Sequence, residues 1–192
     1  KQNLALIHAR ITRMNQLTKG IMDYAKIEVS AGVNEPLDLE KTLADLEFDL
    51  GLEKEQLQLK GDITSIDADT VNLRRVLENL IGNAVKYHDG AQPLRVAVSA
   101  TRMGDRCMIS VADNGPGIHP KFHTRIFKVF QTLRSADMPE STGIGLAIVK
   151  KSIERHGGNI TLESELGHGA TFSFDWPADG TQASDLPLKE AA

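Results

Sequence analysis

Residues 78–87 read ENLIGNAVKY, and this stretch determines both the local structure and the chemistry that the sequence suggests. Asn79 and Asn83 are four positions apart, so a helix would place both carboxamides on one face. Two amides on a face that turns toward a core need several hydrogen-bond partners. A carboxamide oxygen is also a hard ligand of the kind that magnesium prefers. Taken alone, the pair is equally consistent with two asparagines on a helix surface.

The elements around this stretch are predicted from caps, periodicity and turn residues. The helix that carries the pair should begin after Asp69, a capping residue, and run through Tyr87. Its inward residues should be Val71, Val76, Leu77, Leu80 and Ile81. Further predictions are a helix from Asp38 to about Leu52, short strands at 58–60 and 64–67, a hairpin of 94–100 with 107–112, a short helix at 119–127, a helix from Gly143 to Arg155, and strands at 159–163 and 170–175. This mixture predicts an α/β fold of the two-layer α+β kind, a mixed sheet covered on one face by helices.

A separate long helix is predicted over residues 2–29. Leu4, Ile7, Ile11 and Met14 recur at steps of three and four, and Leu17, Ile21 and Tyr24 resume the pattern. The stripe fits a helix that lies on its own domain, but its narrowness favours one helix of a helical bundle. Residues 32–36 contain glycine and proline and predict a break before the next element.

The composition excludes several classes of protein. The chain has 192 residues and one cysteine, Cys107, so it forms no internal disulfide, which favours a reducing, cytoplasmic compartment. No apolar run approaches the ~20 residues of a membrane-spanning helix, and no membrane contact is expected. The net charge of −4 gives no support for nucleic-acid binding. The first residue is not methionine, and we expect the chain to begin inside a longer protein.

Three glycine clusters follow the asparagine pair. Residues 113–117 read DNGPG directly after a predicted strand, where Asp113 could accept a hydrogen bond from an exocyclic amine and the glycines let backbone approach a ligand. Residues 141–146 read STGIGL at the start of a helix, where exposed amides suit phosphate. No Walker sequence is present. Residues 167–172, GHGATF, are by themselves an ordinary hairpin turn.

In this order, the four clusters resemble the ATP-binding catalytic domain of sensor histidine kinases, within the group that includes gyrase, mismatch-repair ATPases and heat-shock chaperones. The resemblance covers about residues 37–177 and includes an F-box-like stretch, IFKVF, at 126–130. Residues 126–177 are most similar to kinases of the phytochrome-related branch. The resemblance implies a Bergerat-type ATP-binding fold preceded by one long helix.

The resemblance also implies ATP and Mg²⁺ as cofactors and a role for each matching residue. Asn83 would hold the metal, and Asn79, Lys86 and Arg134 would act in catalysis. Residues 131–142 would form a mobile lid. The implied ATP-binding residues are Asn83, Lys86, Tyr87, Asp113, Gly115, Gly117, Ile118, Phe130, Thr142, Gly143, Ile144, Gly145, Leu146 and Thr171.

The same resemblance implies a domain plan and partners. Residues 1–31 would be the second helix of a dimerisation hairpin, 32–36 a linker, 37–178 the catalytic domain and 179–192 a disordered tail. The partners would be ATP, a response-regulator receiver domain and a second copy bound through the dimerisation helices. The acceptor histidine should lie upstream, because His8 lacks the acidic residue and proline that follow a family acceptor.

The position of Asn79 favours phosphate transfer over ATP hydrolysis. Hydrolytic members of the group carry a glutamate there as general base, and an amide cannot serve as one. Two other functions remain open from the sequence. One is a nucleotide-binding regulatory module without phosphotransfer, and the other is a serine kinase of the anti-sigma type.

Overall fold

The computed structural model describes residues 2–29, 34–61, 63–131 and 142–178. Along the chain the elements are α1 (Gln2–Val29), β1 (Asn34–Asp38), α2 (Leu39–Asp49), β2 (Leu57–Lys60), β3 (Ser65–Asp69), α3 (Thr70–Tyr87), β4 (Val96–Met103), β5 (Arg106–Asp113), a 3₁₀ helix (Pro120–Phe122), α4 (Gly145–Arg155), β6 (Ile160–Ser164) and β7 (Ala170–Pro177). The expected tail, 179–192, and most of the expected lid lie outside the described residues.

The main sheet has five strands in the order β2-β4-β5-β7-β6. Strands β2 and β4 run parallel and the other neighbours are antiparallel, which confirms a mixed sheet and the β4–β5 hairpin. Alternate residues such as Val98, Ile109 and Phe174 are fully buried on the face that packs against α3 and α4. On the other face, the hydroxyls of Ser110 and Ser173 lie 2.9 Å apart and are only half-buried. The predicted two-layer fold is therefore confirmed.

A second, two-stranded sheet was not predicted. Strand β1 pairs antiparallel with β3, and Leu37 lies opposite Ile66. Residues 34–36, expected to lie in a linker, thus belong to a strand. Strand β1 has no alternating pattern, since two of its first three residues are exposed and one of them is Pro36. Its hydrogen-bonding partner lies some thirty positions later in the chain, which local sequence does not reveal.

Helices α2 and α3 begin where their caps were predicted. Asp38 accepts a 2.9 Å hydrogen bond from the backbone N–H of Lys41, and Asp69 caps α3 in the same way through Asn72. Of the residues predicted to face inward from α3, Val76, Leu77, Leu80 and Ile81 are buried. The prediction was wrong for Val71, which is 61% exposed because it lies ~200° around the helix from buried Leu73.

Helix α1 spans the predicted residues but has two apolar faces rather than one stripe. Leu17 and Tyr24 pack with Ile27 against Ile144 and Ile148 at the beginning of α4. On the other face, Ile7, Ile11, Met14 and Ile21 are 50–66% exposed. The single sequence stripe therefore divides into a face that packs against α4 and a face that is exposed among the described residues.

None of the described helices is long and apolar enough to cross a membrane. The short helix predicted at 119–127 is reduced to one 3₁₀ turn at Pro120–Phe122, and α4 begins two residues later than predicted.

Candidate functional site

A cavity of about 280 Å³ opens between α3, the loop after β5, the beginning of α4 and the beginning of β7. It brings together residues from all four sequence clusters, with Ala170 and Phe172 contributed by the fourth. The lining residues are Asn79, Asn83, Ala84, Lys86, Tyr87, Asp113, Gly115, Pro116, Gly117, Ile118, Ile126, Gln131, Thr142, Gly143, Gly145, Leu146, Ala170 and Phe172.

Helix α3 supplies the polar wall of the cavity. The Nδ2 of Asn79 donates a 2.8 Å hydrogen bond to the carbonyl oxygen of Arg75, and this bond directs Oδ1 toward Gly145 on α4. Asn83 lies one turn further along the same face and is half-buried. Lys86 follows near the end of the helix, where burial lowers the pKa of its ammonium group. This wall presents amide oxygens and one cation.

Asp113, the last residue of β5, is held by backbone donors. Its Oδ1 accepts hydrogen bonds from the N–H groups of Gly115 at 2.8 Å and Ala170 at 3.3 Å. Burial raises the pKa of this carboxyl, while the two backbone bonds and the nearby His88 act in the opposite direction. Because both of these bonds go to Oδ1, Oδ2 can accept a hydrogen bond from a ligand.

The loop after Asp113 is braced by the turn of the fourth cluster. Gly117 has a φ of 72°, and a β-carbon there would lie 2.0 Å from the carbonyl oxygen of Glu165, so only glycine fits. The N–H of Gly167 donates to the carbonyl of Pro116 at 2.8 Å. The hydroxyl of Ser164 accepts from Ile118 N–H at 2.8 Å. The turn therefore supports the loop that forms one side of the cavity.

The beginning of α4 forms another part of the cavity wall. Ile144, its capping position, makes no side-chain hydrogen bond to the helix, and the first amides of a helix have no partner within the helix itself. Thr142, Gly143 and Gly145 line the cavity at this point. Amides at the positive end of a helix dipole attract anions, and phosphate is a common one.

Most predicted site residues line this cavity, and three of the described ones do not. Ile144 is 1% exposed and packs against α1. Phe130 is 57% exposed, with its N–H bonded to the carbonyl of Gly143 at 2.9 Å. Thr171 lies in β7 between Ala170 and Phe172, which line the cavity in its place. Arg134 lies outside the described residues.

Six lining residues were not predicted. Ala170 and Phe172 follow the GHG turn on alternate positions of β7, so the period-two pattern could have assigned them to one face. Ile126 lies in the F-box-like stretch and Pro116 within the Asp113 loop. For Ala84 and Gln131 we find no sequence signal.

A carboxylate and the amides of a helix N-terminus in one cavity define a site for a ligand with a hydrogen-bond-donating exocyclic amine and an anionic tail. A comparison with protein families agrees with that class of site, since residues 68–180 match the histidine kinase-, DNA gyrase B- and HSP90-like ATPases. The chain belongs to this ATPase family.

Individual relatives narrow the similarity to histidine kinases. The chain is 35% identical over 178 residues to cyanobacterial phytochrome A of Nostoc sp., across 90% of this chain and 23% of that protein. It is 33% identical over 187 residues to the circadian input-output histidine kinase CikA of Synechococcus elongatus, across 90% of this chain and 24% of that protein. The chain thus spans about a quarter of the length of these curated relatives.

Solved structures support the same similarity to histidine kinases. Full-length ShkA in complex with AMPPNP superposes with a TM-score of 0.71 at 27% identity, covering 95% of this chain and 40% of that one. The catalytic domain of the histidine kinase ThkA gives a TM-score of 0.60 at 25% identity, covering 76% of this chain and 95% of that one. The fold is that of histidine kinase catalytic ATP-binding domains, as the resemblance implied.

Proposed function

We propose that this chain binds Mg²⁺-ATP in the cavity and transfers the terminal phosphate to a histidine on a partner segment, from which it passes to an aspartate of a response regulator. The observation that carries the proposal is that Asp113 and the first residues of α4 line one cavity. Asp113 Oδ2 would accept the adenine amine, and the amides at Gly143 and Gly145 would bind phosphate oxygens. Positioning and charge stabilisation would then account for most of the rate.

The donor set fits a magnesium ion that is held partly by the nucleotide. Among the described residues, no three His, Cys, Asp or Glu side chains cluster as metal ligands. Asn83 presents a hard oxygen donor in the cavity. Magnesium commonly takes few protein ligands and completes its shell with phosphate oxygens and water. Asn83 would therefore hold the ion against the phosphates, where it neutralises their charge.

Transfer is favoured over hydrolysis because the cavity offers no general base on α3. Asn79 carries an amide, and that amide is committed to the carbonyl of Arg75. Glu78, the neighbouring carboxylate, is exposed and does not line the cavity. An attacking water would thus find no base from this helix.

The proposed partners are inferred from the exposed apolar face of α1. Its exposed face of Ile7, Ile11, Met14 and Ile21 is suited to a helical bundle with a second copy of the chain, as in the dimerisation hairpin implied by the resemblance. The acceptor histidine would lie on the preceding helix of that hairpin. A receiver domain would dock on the assembled pair in the cytoplasm, a compartment consistent with the buried thiol of Cys107.

The test is a labelling experiment with terminally labelled ATP. The chain alone should bind ATP and remain unlabelled, and an added acceptor-helix fragment should gain acid-labile label. Binding without labelling of either species would favour a regulatory module. Acid-stable label on an added serine substrate would favour a serine kinase.

The metal assignment is tested separately with Asn83→Asp. The added carboxylate at the metal site should shift the magnesium concentration for half-maximal ATP binding several-fold, with little change in adenine preference. Asn15→Asp adds the same charge on an exposed part of α1 and serves as the control. An identical magnesium titration for wild type and Asn83→Asp would contradict a metal ligand at this position.

A further inference from the structure

A buried polar pair joins α3 and α4 outside the cavity. Asp69 caps the beginning of α3 and His156 ends α4, and each is 3% exposed. Both oxygens of Asp69 already accept hydrogen bonds from Asn72, Oδ1 from the backbone N–H at 3.0 Å and Oδ2 from Nδ2 at 2.6 Å. Acceptance at both oxygens favours the ionised carboxylate, which has only acceptors to offer.

The ring of His156 faces an acceptor at each nitrogen. Nδ1 lies 2.7 Å from the carbonyl oxygen of Ser152, which can only accept, so Nδ1 carries a proton. Nε2 lies 3.4 Å from Oδ2 of Asp69. A neutral ring protonated at Nδ1 would direct the Nε2 lone pair at this carboxylate, whereas a doubly protonated ring would donate to it.

Three further features favour a positive ring. The ring stacks on the indole of Trp176, with centroids 4.2 Å apart and planes at 25°. It also lies at the negative end of the α4 dipole, while Asp69 lies at the positive end of α3. The charge of Arg106, which donates to the carbonyl of His156 at 3.2 Å, is offset by its own pairing with Asp175.

We infer that His156 is an imidazolium that forms a buried ion pair with Asp69, and that this pair positions α3 against α4 for binding of the terminal phosphate. Asn79 lies ten residues beyond Asp69 along α3, and Gly145 lies eleven residues before His156 along α4. The two helices are therefore antiparallel, and the ion pair lies ~15 Å from the contact between Asn79 and Gly145. Asp69 and His156 are positioning residues, and this role rests on the proposed nucleotide site.

The protonation state is tested by long-range ¹H–¹⁵N correlation of the histidine rings in the whole chain at pH 7, with His156 assigned from its absence in His156→Gln. Both ring nitrogens should show the shifts of a protonated imidazolium, and Asp69→Asn should return the ring to a neutral form. Asparagine also caps helices, so this substitution removes charge while retaining the cap. A neutral ring in the wild type would overturn the ion pair.

The positioning role is tested by comparing the affinities for Mg²⁺-ATP and Mg²⁺-ADP. Asp69→Asn and His156→Gln should weaken ATP binding at least threefold more than ADP binding at a temperature where both variants are folded. Asp67→Asn, which removes an exposed carboxylate two residues before Asp69, is the control and should change neither affinity. A purely structural pair would lower stability and leave the ATP-to-ADP ratio unchanged, which would overturn the positioning role. A wild type that binds neither nucleotide would overturn the proposed function and this role with it, while the ring-nitrogen measurement would still decide the ion pair.

Discussion

The side-chain oxygen of Asn79 lies 2.7 Å from the position that a β-carbon would occupy on Gly145. Two helices thus approach each other at a point where the first offers an amide oxygen and the second offers backbone N–H groups. Because Asn79 is held by its bond to the carbonyl of Arg75, it cannot turn away without losing that bond. Gly145 therefore sets how closely the polar wall of the cavity approaches the helix amides.

Gly145→Ala should weaken ATP binding about tenfold while the chain stays folded. The new methyl group would displace Asn79 or push α4 outward, and either change misplaces the groups that meet the phosphates. Gly82→Ala on α3 is the matched control, because the nearest atom to its new β-carbon is a side-chain carbon of Leu50 at 3.9 Å. The Gly82→Ala substitution should raise the free energy of unfolding by about 0.5–1 kcal/mol, because alanine has a higher helix propensity than glycine. Equal ATP affinity for the two variants, measured by titration calorimetry, would contradict the role of this contact.

Asp113→Asn should reduce ATP affinity by about 1–3 kcal/mol, the cost of opposing a donor to a donor in a buried site. Guanine nucleotides should lose less affinity, because the exocyclic group of guanine at the matching position accepts a hydrogen bond. Asp105→Asn, in an exposed turn, is the control. Calorimetry with both nucleotides provides the measurement. If the affinities for ATP and GTP fell by the same factor, Asp113 would not distinguish adenine from guanine.

The stability of the chain should decline in acid between about pH 4 and pH 2 through Asp69. Burial alone would raise the pKa of this carboxyl, but hydrogen bonds from His156 and Asn72 outweigh it and lower the pKa from 3.8 to about 2. A carboxyl with a depressed pKa stabilises the folded state above its unfolded pKa, and this contribution disappears as the pH falls through the folded value. The contribution amounts to about 2 kcal/mol at neutral pH.

Chemical denaturation of wild type and Asp69→Asn from pH 2 to pH 6 checks this expectation. The difference in free energy of unfolding should be largest above pH 4 and should shrink toward pH 2. A difference that does not depend on pH would mean that the substitution acts through packing alone.

Ile27→Ala should loosen α1 from α4. Ile27 is fully buried in a small cluster with Ile144 and Ile148, and deletion of a buried isoleucine side chain costs about 2–5 kcal/mol. Hydrogen exchange should accelerate in residues 17–27. Ile21→Ala, at a position that is 50% exposed, should leave exchange in α1 near that of the wild type. Similar exchange in both variants would show that α1 is not held by this cluster.

The sequence alone predicted helices α1 to α4 and the order of the chemical clusters. Asp38 and Asp69 were predicted as caps because capping depends on residues three positions away, and the inward face of α3 follows from a period of 3.6 residues. The mixed sheet followed from the alternation of strands and helices. Most of the implied nucleotide residues were recognised because they lie in four short stretches, and the cavity contains most of them.

Only the tertiary structure decided which distant residues meet. The pairing of β1 with β3, the division of the α1 stripe into two faces and the contact of Asp69 with His156 join positions far apart in the chain. The same holds for the burial of Ile144 against α1, which turns it away from the cavity despite its place between two lining glycines. Such contacts depend on the angle and distance at which elements pack, and those are fixed by the whole core rather than by any local run of residues.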